Sequence, residues 1–271
     1  MTFETRTQFD VIVIGAGFSG LAILHHLREI GLDTVVLDAQ DGVGGTWLAN
    51  CYPGVRTDSE YSYYSFSFSK EVRDEWTWSQ RYASGPEVLA YLNFVADRLD
   101  LRRDIRLDTR VQSARYAEEA NTWTVQIAGG APLVAKYLIS AMGILSHAIY
   151  PDIPGFDTFA GEKYHTAHWP RGGVDLKGKR VGVIGLGSSG VQVVPAIAPE
   201  VEELIVFQRT PNYVVETTNE ALTADDMAWL RENYDAIYEK AVNHPFAVAM
   251  ELPSLSALEV SDEERRSIFE S

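Results

Sequence analysis

The start of the chain alternates apolar and polar positions in a pattern that predicts a strand, a helix and a second strand. Phe9–Ile14 is an apolar run typical of a buried parallel strand. Apolar positions then recur with a helical period until Gly31, and a glycine is typical of a helix end. A second apolar run, Thr34–Leu37, ends on Asp38. The pattern predicts a β-α-β unit.

The middle of the chain predicts one helix and a small antiparallel meander. A proline at the first helical position opens the helix Pro86–Leu99, whose apolar residues recur with a helical period. Three strand-like runs separated by turn residues follow, namely Thr109–Tyr116, Thr122–Ala128 and Leu133–Ile139. We expect the meander to return the chain to the sheet at Ser140.

Aromatic residues are dense in one further stretch. Tyr61–Phe68 alternates aromatic residues with serines, and Trp76 and Trp78 follow. Packing in a core or an interface is the ordinary role of such residues, and contact with a flavin or a substrate is the alternative.

The pattern of strand, helix and strand occurs a second time. Lys179–Ile184 and Leu204–Phe207 predict strands on either side of a helix. Met227–Val242 predicts an amphipathic helix, and Ser261 with Glu264 predicts a capping box for another. A doubly wound domain has about four or more parallel strands, but no strand is predicted after Phe207, so the second α/β domain is predicted to be incomplete.

A glycine-rich turn joins the strand and the helix of the first unit. Its residues are Gly15, Ala16, Gly17, Phe18, Ser19 and Gly20. Gly15 permits a tight turn, Gly17 lets the backbone approach a pyrophosphate, and Gly20 lets helix and strand pack closely. The helix N-terminus faces the anion. Asp38 lies where a carboxylate accepts hydrogen bonds from a ribose diol, which disfavours a 2′-phosphate. These features predict a dinucleotide site.

The second unit carries the same turn but a different strand end. Its turn is formed by Gly185, Leu186, Gly187, Ser188, Ser189 and Gly190. From the first glycine to Asp38 is 23 positions in the first unit, and the same count in the second reaches Gln208. Arg209 and Thr210 follow, and an arginine at this strand end can pair with a 2′-phosphate. The second site is therefore predicted to prefer NADPH to NADH, with an exposed arginine without a ligand as the alternative.

The loop after Asp38 is rich in glycine and longer than an ordinary connection between strand and helix. It runs through Gly42–Trp47 and Tyr52–Asp58 and is similar to the segment with which two-dinucleotide flavoproteins wrap FAD. Flavin disulphide reductases place a redox cysteine after Gly-Gly-Thr, whereas Trp47 occupies that place here. Because Cys51 is the single cysteine of the sequence, dithiol chemistry is excluded, and we expect Cys51 to be a small buried hydrophobe.

The composition excludes several classes of function. The chain has 271 residues, 46% of them apolar, which suits a globular protein of one to two domains. A net charge of -15 argues against nucleic acid or a membrane surface as a partner, because both require clustered lysine and arginine. The single cysteine fits a reducing compartment. No apolar run is long enough to span a membrane and no signal-peptide pattern is present, so we expect a cytoplasmic location.

A motif between the two turns resembles the identifying sequence of the Baeyer–Villiger monooxygenases, a branch of the flavin-containing monooxygenases. The motif is Phe159-x-Gly161-x-x-x-His165-x-x-x-Trp169-Pro170. The resemblance also covers both glycine turns, Gly44–Trp47, Tyr52–Gly54 with Asp58, and Arg209-Thr210-Pro211. It implies an α/β two-dinucleotide-binding-domain flavoprotein, in which an FAD Rossmann-like domain with the meander precedes an incomplete NADP Rossmann-like domain.

The resemblance also implies an activity. NADPH reduces FAD by hydride transfer, O2 adds to form a C4a-peroxyflavin, and the peroxide attacks a ketone carbonyl to give an ester or lactone. The implied cofactors are FAD and NADPH, and the implied substrates are a small-molecule ketone and O2. Asp58 matches a carboxylate that positions an active-site arginine expected beyond Ser271. The C-terminal half of the same protein is therefore an expected partner.

The family pattern assigns the cofactor contacts residue by residue. Arg56 and Thr57 match positions that touch NADP, while Tyr64 and Val111 match flavin-side positions. The residues expected to contact a cofactor are Gly15, Gly17, Phe18, Ser19, Gly20, Asp38, Gly45, Thr46, Trp47, Arg56, Thr57, Asp58, Tyr64, Val111, Gly185, Gly187, Ser188, Ser189, Gly190, Arg209 and Thr210.

The expected catalytic residues are Asp58, His165 and Trp169. His165 and Trp169 are expected to couple the two domains as NADP moves between its two positions. A metal is not predicted, because His165 and His168 are by themselves a weak signal. The predicted domains are 1–150 for FAD, 151–176 as the linker that carries the motif, and 177–271 for NADP.

Two other functions stay open at this point. One is a flavin monooxygenase that oxygenates nitrogen or sulfur, which normally shows a different linker motif. The other is a non-catalytic nucleotide-binding fragment, because the C-terminal part would supply much of the substrate pocket.

Overall fold

A computed structural model describes residues 5–211, 217–245, 247–249, 256 and 258–270. The chain divides into two compact units, Met1–Thr223 and Ala224–Ser271. Both glycine-rich turns lie in the first unit. The boundaries 1–150, 151–176 and 177–271 stay a prediction.

The first unit contains a six-stranded mixed sheet. Its strands are β1 (Gln8–Ile14), β2 (Thr34–Leu37), β3 (Ile105–Arg106), β4 (Val111–Ala117), β5 (Thr122–Ile127) and β6 (Leu133–Ser140). They lie in the order β3-β2-β1-β6-β5-β4. β1 pairs in parallel with β2 and β6, whereas β4, β5 and β6 form antiparallel pairs. The predicted meander is thus present and extends the same sheet.

A second, two-stranded parallel sheet follows the linker. It pairs β7 (Arg180–Ile184) with β8 (Glu203–Phe207). The helices are α1 (Phe18–Glu29), α2 (Thr46–Ala49), α3 (Lys70–Glu75), α4 (Gly85–Arg98), α5 (Ser188–Ile197), α6 (Ala224–Val242) and α7 (Asp262–Glu270). The predicted α/β class is confirmed. The short elements α2, α3 and β3 were not predicted.

Serine side chains begin three of the helices. Ser69 accepts a hydrogen bond from a first-turn N–H of α3, and Ser84 does the same for α4. At α7, Ser261 and Glu264 accept each other's backbone N–H at 3.2 and 2.9 Å, which confirms the predicted capping box. Each cap satisfies a backbone donor that the helix itself leaves without a partner.

Apolar residues on β1, β2, β5 and β6 form a buried core. Its members are Phe9, Ile12, Val35, Leu37, Val125, Leu133 and Ala135. The aromatic run packs elsewhere, because Phe66 is buried and its backbone N–H donates to the hydroxyl of Tyr91 at 2.7 Å. Packing therefore accounts for Phe66. Among the described residues, no helix combines the length and apolar character that crossing a membrane requires.

The close packing of α1 against the first turn gives a stability prediction. A Cβ at Gly20 would overlap the backbone oxygen of Gly15, which a side-chain rotation cannot relieve. We expect Gly20→Ala to lower the free energy of unfolding by about 2 kcal/mol or more. Urea unfolding followed by circular dichroism measures this change.

Gly172→Ala is the matched control, because a Cβ there meets no atom within 4 Å and the backbone does not have positive φ. We expect this substitution to change the free energy of unfolding by less than about 0.5 kcal/mol. Equal effects of the two substitutions would contradict the steric account.

Candidate functional site

The first glycine turn has the geometry that its sequence predicts. Gly15 has φ of 108°, and a Cβ there would overlap the carbonyl oxygen of Ala141, directly after β6. The Gly15 N–H donates to the Leu37 carbonyl at 2.8 Å. The turn is therefore enclosed by β2 and β6, and only a glycine fits at its start.

The glycine-rich loop after Asp38 packs on this turn, backbone against backbone. The Gly44 N–H donates to the Ala16 carbonyl at 3.0 Å, and a Cβ at Gly45 would lie 3.0 Å from the Cα of Gly17. Thr46 and Trp47 then form the first residues of the short α2. The structure thus brings the predicted cofactor residues of both segments together.

The helices that follow the two turns begin without a side-chain cap. Gly17 at α1 and Gly187 at α5 are the N-cap residues, and neither helix receives a side-chain hydrogen bond there. The serine-capped α3, α4 and α7 differ in this respect. The first-turn N–H groups of α1 and α5 thus lack the side-chain partner that a capped helix has, and the helix dipole favours an anion at that end. Both sites fit the phosphates of a dinucleotide.

Asp38 is buried and is held by backbone donors. Its Oδ2 accepts from the Ala16 N–H at 2.6 Å and its Oδ1 from the Gln40 N–H at 2.8 Å. A carboxylate oxygen can accept more than one hydrogen bond, so capacity for a ribose diol is left. The predicted ribose contact stays a prediction, and the anchoring of the turn by Asp38 is an additional role that the sequence did not indicate.

The second turn repeats the close approach of the last glycine to the first, although a Cβ at Gly185 itself would meet no atom within 4 Å. Gly185 has φ of 98°, and a Cβ at Gly190 would overlap the Gly185 carbonyl oxygen. Arg209 and Thr210 are exposed just after the end of β8. Their position at the carboxyl end of a parallel strand fits a 2′-phosphate contact, which stays a prediction.

The loop that carries Asp58 packs directly on α5. Gly54 has φ of 80°, and a Cβ there would overlap the backbone oxygen of Gln192. Tyr52 lies in a hydrophobic cluster with Val193 and Ile197 of α5. The loop between the two turns thus contacts the helix of the second turn. Any side chain at position 54 would clash with that helix, so only glycine fits there.

Gln192 is the residue at this contact that the sequence analysis missed. Its side chain receives hydrogen bonds from the Tyr52 hydroxyl at 2.9 Å and the Arg56 N–H at 3.1 Å. It donates to the Arg56 carbonyl at 3.1 Å and to Asp58 Oδ1 at 2.6 Å. The available signal was one glutamine among the apolar residues of the second helix.

Thr57 has a buried hydroxyl that lacks a partner. Its side chain is 2% exposed, and among the described residues no group hydrogen-bonds to its Oγ1. A buried hydroxyl without a partner costs free energy unless a ligand or water supplies one. Thr57 precedes Asp58 and is one of the predicted NADP contacts, so this atom fits a bound cofactor.

Tyr64, which is predicted to be on the flavin side, lies together with two other aromatic residues that are predicted to bind a cofactor. The ring of Tyr64 is 5.8 Å from that of Phe18 and 5.4 Å from that of Trp47. Burial, reinforced by the charge of Asp58, raises the pKa of Tyr64. Burial also raises the pKa of Tyr52, and Asp58 adds to this effect while a hydrogen bond with Ser189 opposes it. Both phenols are therefore neutral at physiological pH.

The remaining flavin-side residue, Val111, begins β4 and packs against the sheet core. Thr109, two positions before it, donates its N–H to the Asp38 carbonyl at 2.7 Å. Val111 is thus close in sequence to a residue that contacts the first site, and its cofactor contact stays a prediction.

The linker that carries the motif is attached to two other segments of the chain. The Cys51 thiol donates to the Trp169 carbonyl at 3.1 Å, so Cys51 is half-buried and hydrogen-bonded rather than a purely hydrophobic residue. Arg171 forms two hydrogen bonds with Asp41, at 2.6 and 2.9 Å, and Glu162 pairs with Lys179. The linker is therefore attached to the first loop and to the segment before β7.

The two predicted coupling residues have different surroundings. Trp169 packs against the cluster that Tyr52 shares with α5. His165 Nδ1 accepts from the Ala167 N–H at 3.1 Å, and its ring lies 4.9 Å from that of Tyr150. His165 thus caps a short turn, and the catalytic roles of His165 and Trp169 stay predictions.

One group of described side chains has the spacing of metal ligands, and it lies on α1. His25, His26 and Glu29 offer ligand atoms within 4.8 Å of one another. His26 Nδ1 is 3.0 Å from Glu29, and His25 stacks on Phe68 at 4.5 Å. These contacts account for the group without a metal.

The two neutral phenols give a pH prediction. A raised pKa in the folded state contributes stability that is present below the unfolded pKa of about 10 and is lost as pH rises through the folded pKa. We expect the free energy of unfolding to fall with pH above about 10, and to fall less steeply in Tyr52→Phe/Tyr64→Phe. Urea unfolding across this pH range provides the measurement.

Tyr137→Phe is the control, because Tyr137 is 48% exposed on β6. We expect it to leave the slope of stability against pH unchanged. A double variant with the same slope as the control would contradict the prediction.

Comparisons with known proteins place this arrangement in a family. Residues 12–243 match the model of the pyridine nucleotide-disulphide oxidoreductases. A phenazine N-monooxygenase from Lysobacter antibioticus is 42% identical over 100% of this chain and 50% of its own length. A Baeyer-Villiger monooxygenase from Pseudooceanicola batsensis is 44% identical over 99% of this chain and 50% of its own length.

A solved structure agrees with the sequence relatives. OTEMO in complex with FAD and NADP has a TM-score of 0.89 at 40% identity, over 97% of this chain and 50% of that one. The chain spans about half the length of the curated relatives it matches. The resemblance inferred from the linker motif is confirmed. The chain belongs to the pyridine nucleotide-disulphide oxidoreductase family and matches the N-terminal half of flavin monooxygenases of the Baeyer–Villiger type.

Proposed function

We propose that this chain is the cofactor-binding portion of an NADPH-dependent flavin monooxygenase that converts ketones to esters or lactones. The observation that carries the proposal is the loop of Tyr52–Asp58, which follows the first glycine turn and packs on the helix of the second. This contact ties Asp58 to the helix of the second turn, and the charge of Asp58 also acts on Tyr64, whose ring lies beside that of Phe18 at the start of α1. Hydride transfer requires the donor and the acceptor to meet, and a contact between the two predicted cofactor sites is where they can do so.

The residues of the chain bind and orient the two cofactors. The turn at Gly15 and the carboxylate of Asp38 hold FAD, while the turn at Gly185 and the guanidinium of Arg209 hold NADPH. The bound pair supplies hydride transfer and the activation of O2. Asp58 would orient the groups beside the flavin, and the neutral phenol of Tyr64, which lies beside Phe18 and Trp47, would contact the flavin.

The second half of the monooxygenase is the proposed partner. Ile184 on β7 and Ile205 and Phe207 on β8 are 59%, 41% and 55% exposed. A two-stranded sheet is marginally stable alone and is normally covered by further strands or helices. Further strands and helices of the protein would cover these residues. We place the protein in the cytoplasm, in accord with its single cysteine.

N-oxygenation is the second candidate activity. The specific observation in its favour is the phenazine N-monooxygenase, which is similar over the whole chain. The same two cofactors serve both activities, so the cofactor residues do not distinguish them. Without catalysis, the chain would be a nucleotide-binding fragment.

One experiment separates these three functions. The purified chain is examined for bound flavin, mixed with NADPH without oxygen, and then exposed to O2 with a cyclic or aryl ketone or an N-heterocycle. Bleaching of the flavin is the expected result for this chain, and ester formation is expected when the C-terminal half of the protein is also present. An N-oxide without ester supports the second candidate. Bound flavin without bleaching supports the fragment, and absence of flavin contradicts the proposal.

The coenzyme preference gives a separate prediction. We expect Arg209→Ala to raise the KM for NADPH by about tenfold or more and to leave the KM for NADH nearly unchanged, because the pairing with the 2′-phosphate is lost. Flavin reduction by each coenzyme measures both constants. Arg115→Ala, at an exposed position on β4, is the control for the loss of a positive charge. Equal effects of Arg209→Ala on both coenzymes would contradict the assignment.

A further inference from the structure

The side-chain amide of Gln192 uses its full hydrogen-bonding capacity. An amide has two acceptor sites on oxygen and two N–H donors. Oε1 accepts from the Tyr52 hydroxyl and the Arg56 N–H, and Nε2 donates to the Arg56 carbonyl and Asp58 Oδ1. The Arg56 N–H can only donate and its carbonyl can only accept, which fixes which end of the amide is which. Glutamine is thus specified by all four partners.

The contact is buried and is reinforced by close packing. Gln192 is 9% exposed, so loss of any partner would leave a polar atom without water. Gly54 approaches the backbone of Gln192 so closely that a Cβ would overlap it, and Ala196 lies next to the same glycine. The loop and α5 therefore move together or separate altogether.

Gln192 connects one predicted ligand site with another. It lies about one turn after Ser188, the first residue of the helix whose uncapped N-terminus faces the second nucleotide. The Nε2 of Gln192 donates a hydrogen bond to Asp58 Oδ1 at 2.6 Å. A shift of α5 is therefore transmitted to Asp58 through one rigid side chain and the backbone of Arg56.

We propose that Gln192 is a positioning residue that couples occupancy of the second nucleotide site to the placement of Asp58. The proposal rests on the proposed function, because it requires NADP at the turn of Gly185–Gly190. Gln192 itself need not touch either cofactor. It fixes the loop of Tyr52–Asp58 in the geometry that α5 dictates.

Hydrogen exchange tests this coupling in the FAD-loaded chain with and without NADP+. In the unchanged protein we expect NADP+ to slow exchange in 185–197 and also at Gly54 and Val55, which lie in the loop of Tyr52–Asp58 but are not predicted NADP contacts. Gln192→Glu keeps the acceptors for Tyr52 and the Arg56 N–H, removes both donors and places a negative charge beside Asp58. We expect NADP+ to protect 185–197 in this variant but no longer Gly54 and Val55, and the Kd of NADP+ to rise about tenfold.

Two further variants keep the test decisive. Gln192→Met has a similar length without charge or hydrogen bonds, and it should also uncouple Gly54 and Val55. Gln126→Glu, at an exposed position on β5, introduces the same charge away from the site and should behave as the unchanged protein. The visible absorbance of bound flavin shows whether the first site stays intact in each variant.

The outcomes separate this inference from the proposed function. NADP+-dependent protection of Gly54 and Val55 that persists in Gln192→Glu or Gln192→Met would overturn the coupling alone, because these two residues are not predicted NADP contacts. Loss of flavin in both variants, with uniform loss of protection, would indicate a merely structural residue and would also overturn it. An unchanged chain that binds neither FAD nor NADP+ would overturn the proposed function and the coupling with it.

Discussion

The architecture depends on the close approach of one loop to one helix. A side-chain amide on α5 pairs with the backbone of Arg56 much as a neighbouring strand would, and a glycine at position 54 leaves room for it. Buried amide contacts of this kind have a steep dependence on geometry, because a partly separated amide would lose hydrogen bonds without regaining water. The loop and α5 are thus held together by a contact that tolerates little intermediate displacement.

The same kind of glycine turn suits two different ligands, because the strand that follows it ends on different residues in the two units. Each turn combines a glycine at positive φ with a helix whose N-terminus lacks a side-chain cap, and this combination favours phosphate without selecting a nucleotide. Selection lies at the end of the following strand. The first site places the buried carboxylate of Asp38 there, and the second places an exposed Arg209. Charge at one strand end is therefore the proposed determinant of which coenzyme each turn accepts.

The sequence predicts the features that depend on neighbours along the chain. Glycine spacing, helical period and the capping box of Ser261 and Glu264 are local, and the structure has all three. Gln192 could not be predicted, because its partners lie 134 to 140 positions away. β3 is two residues long and is defined by pairing with β2, so it has no periodic signal of its own. Thr57 likewise cannot be distinguished from an ordinary polar residue in the sequence, because its burial depends on the fold.

The linker motif identifies the family, but its contacts are weaker than those of the loop. The ion pairs Arg171–Asp41 and Glu162–Lys179 are exposed, and exposed pairs contribute little because water and salt screen them. Trp169 is the part of the motif that packs into the apolar cluster beside α5. His165 caps its own turn, and its ring lies beside those of Tyr150 and His168. A displacement of α5 is therefore transmitted to the loop of Tyr52–Asp58 by Gln192 rather than by the histidine of the motif. Trp169 follows the same displacement, because it packs against the apolar cluster to which α5 contributes.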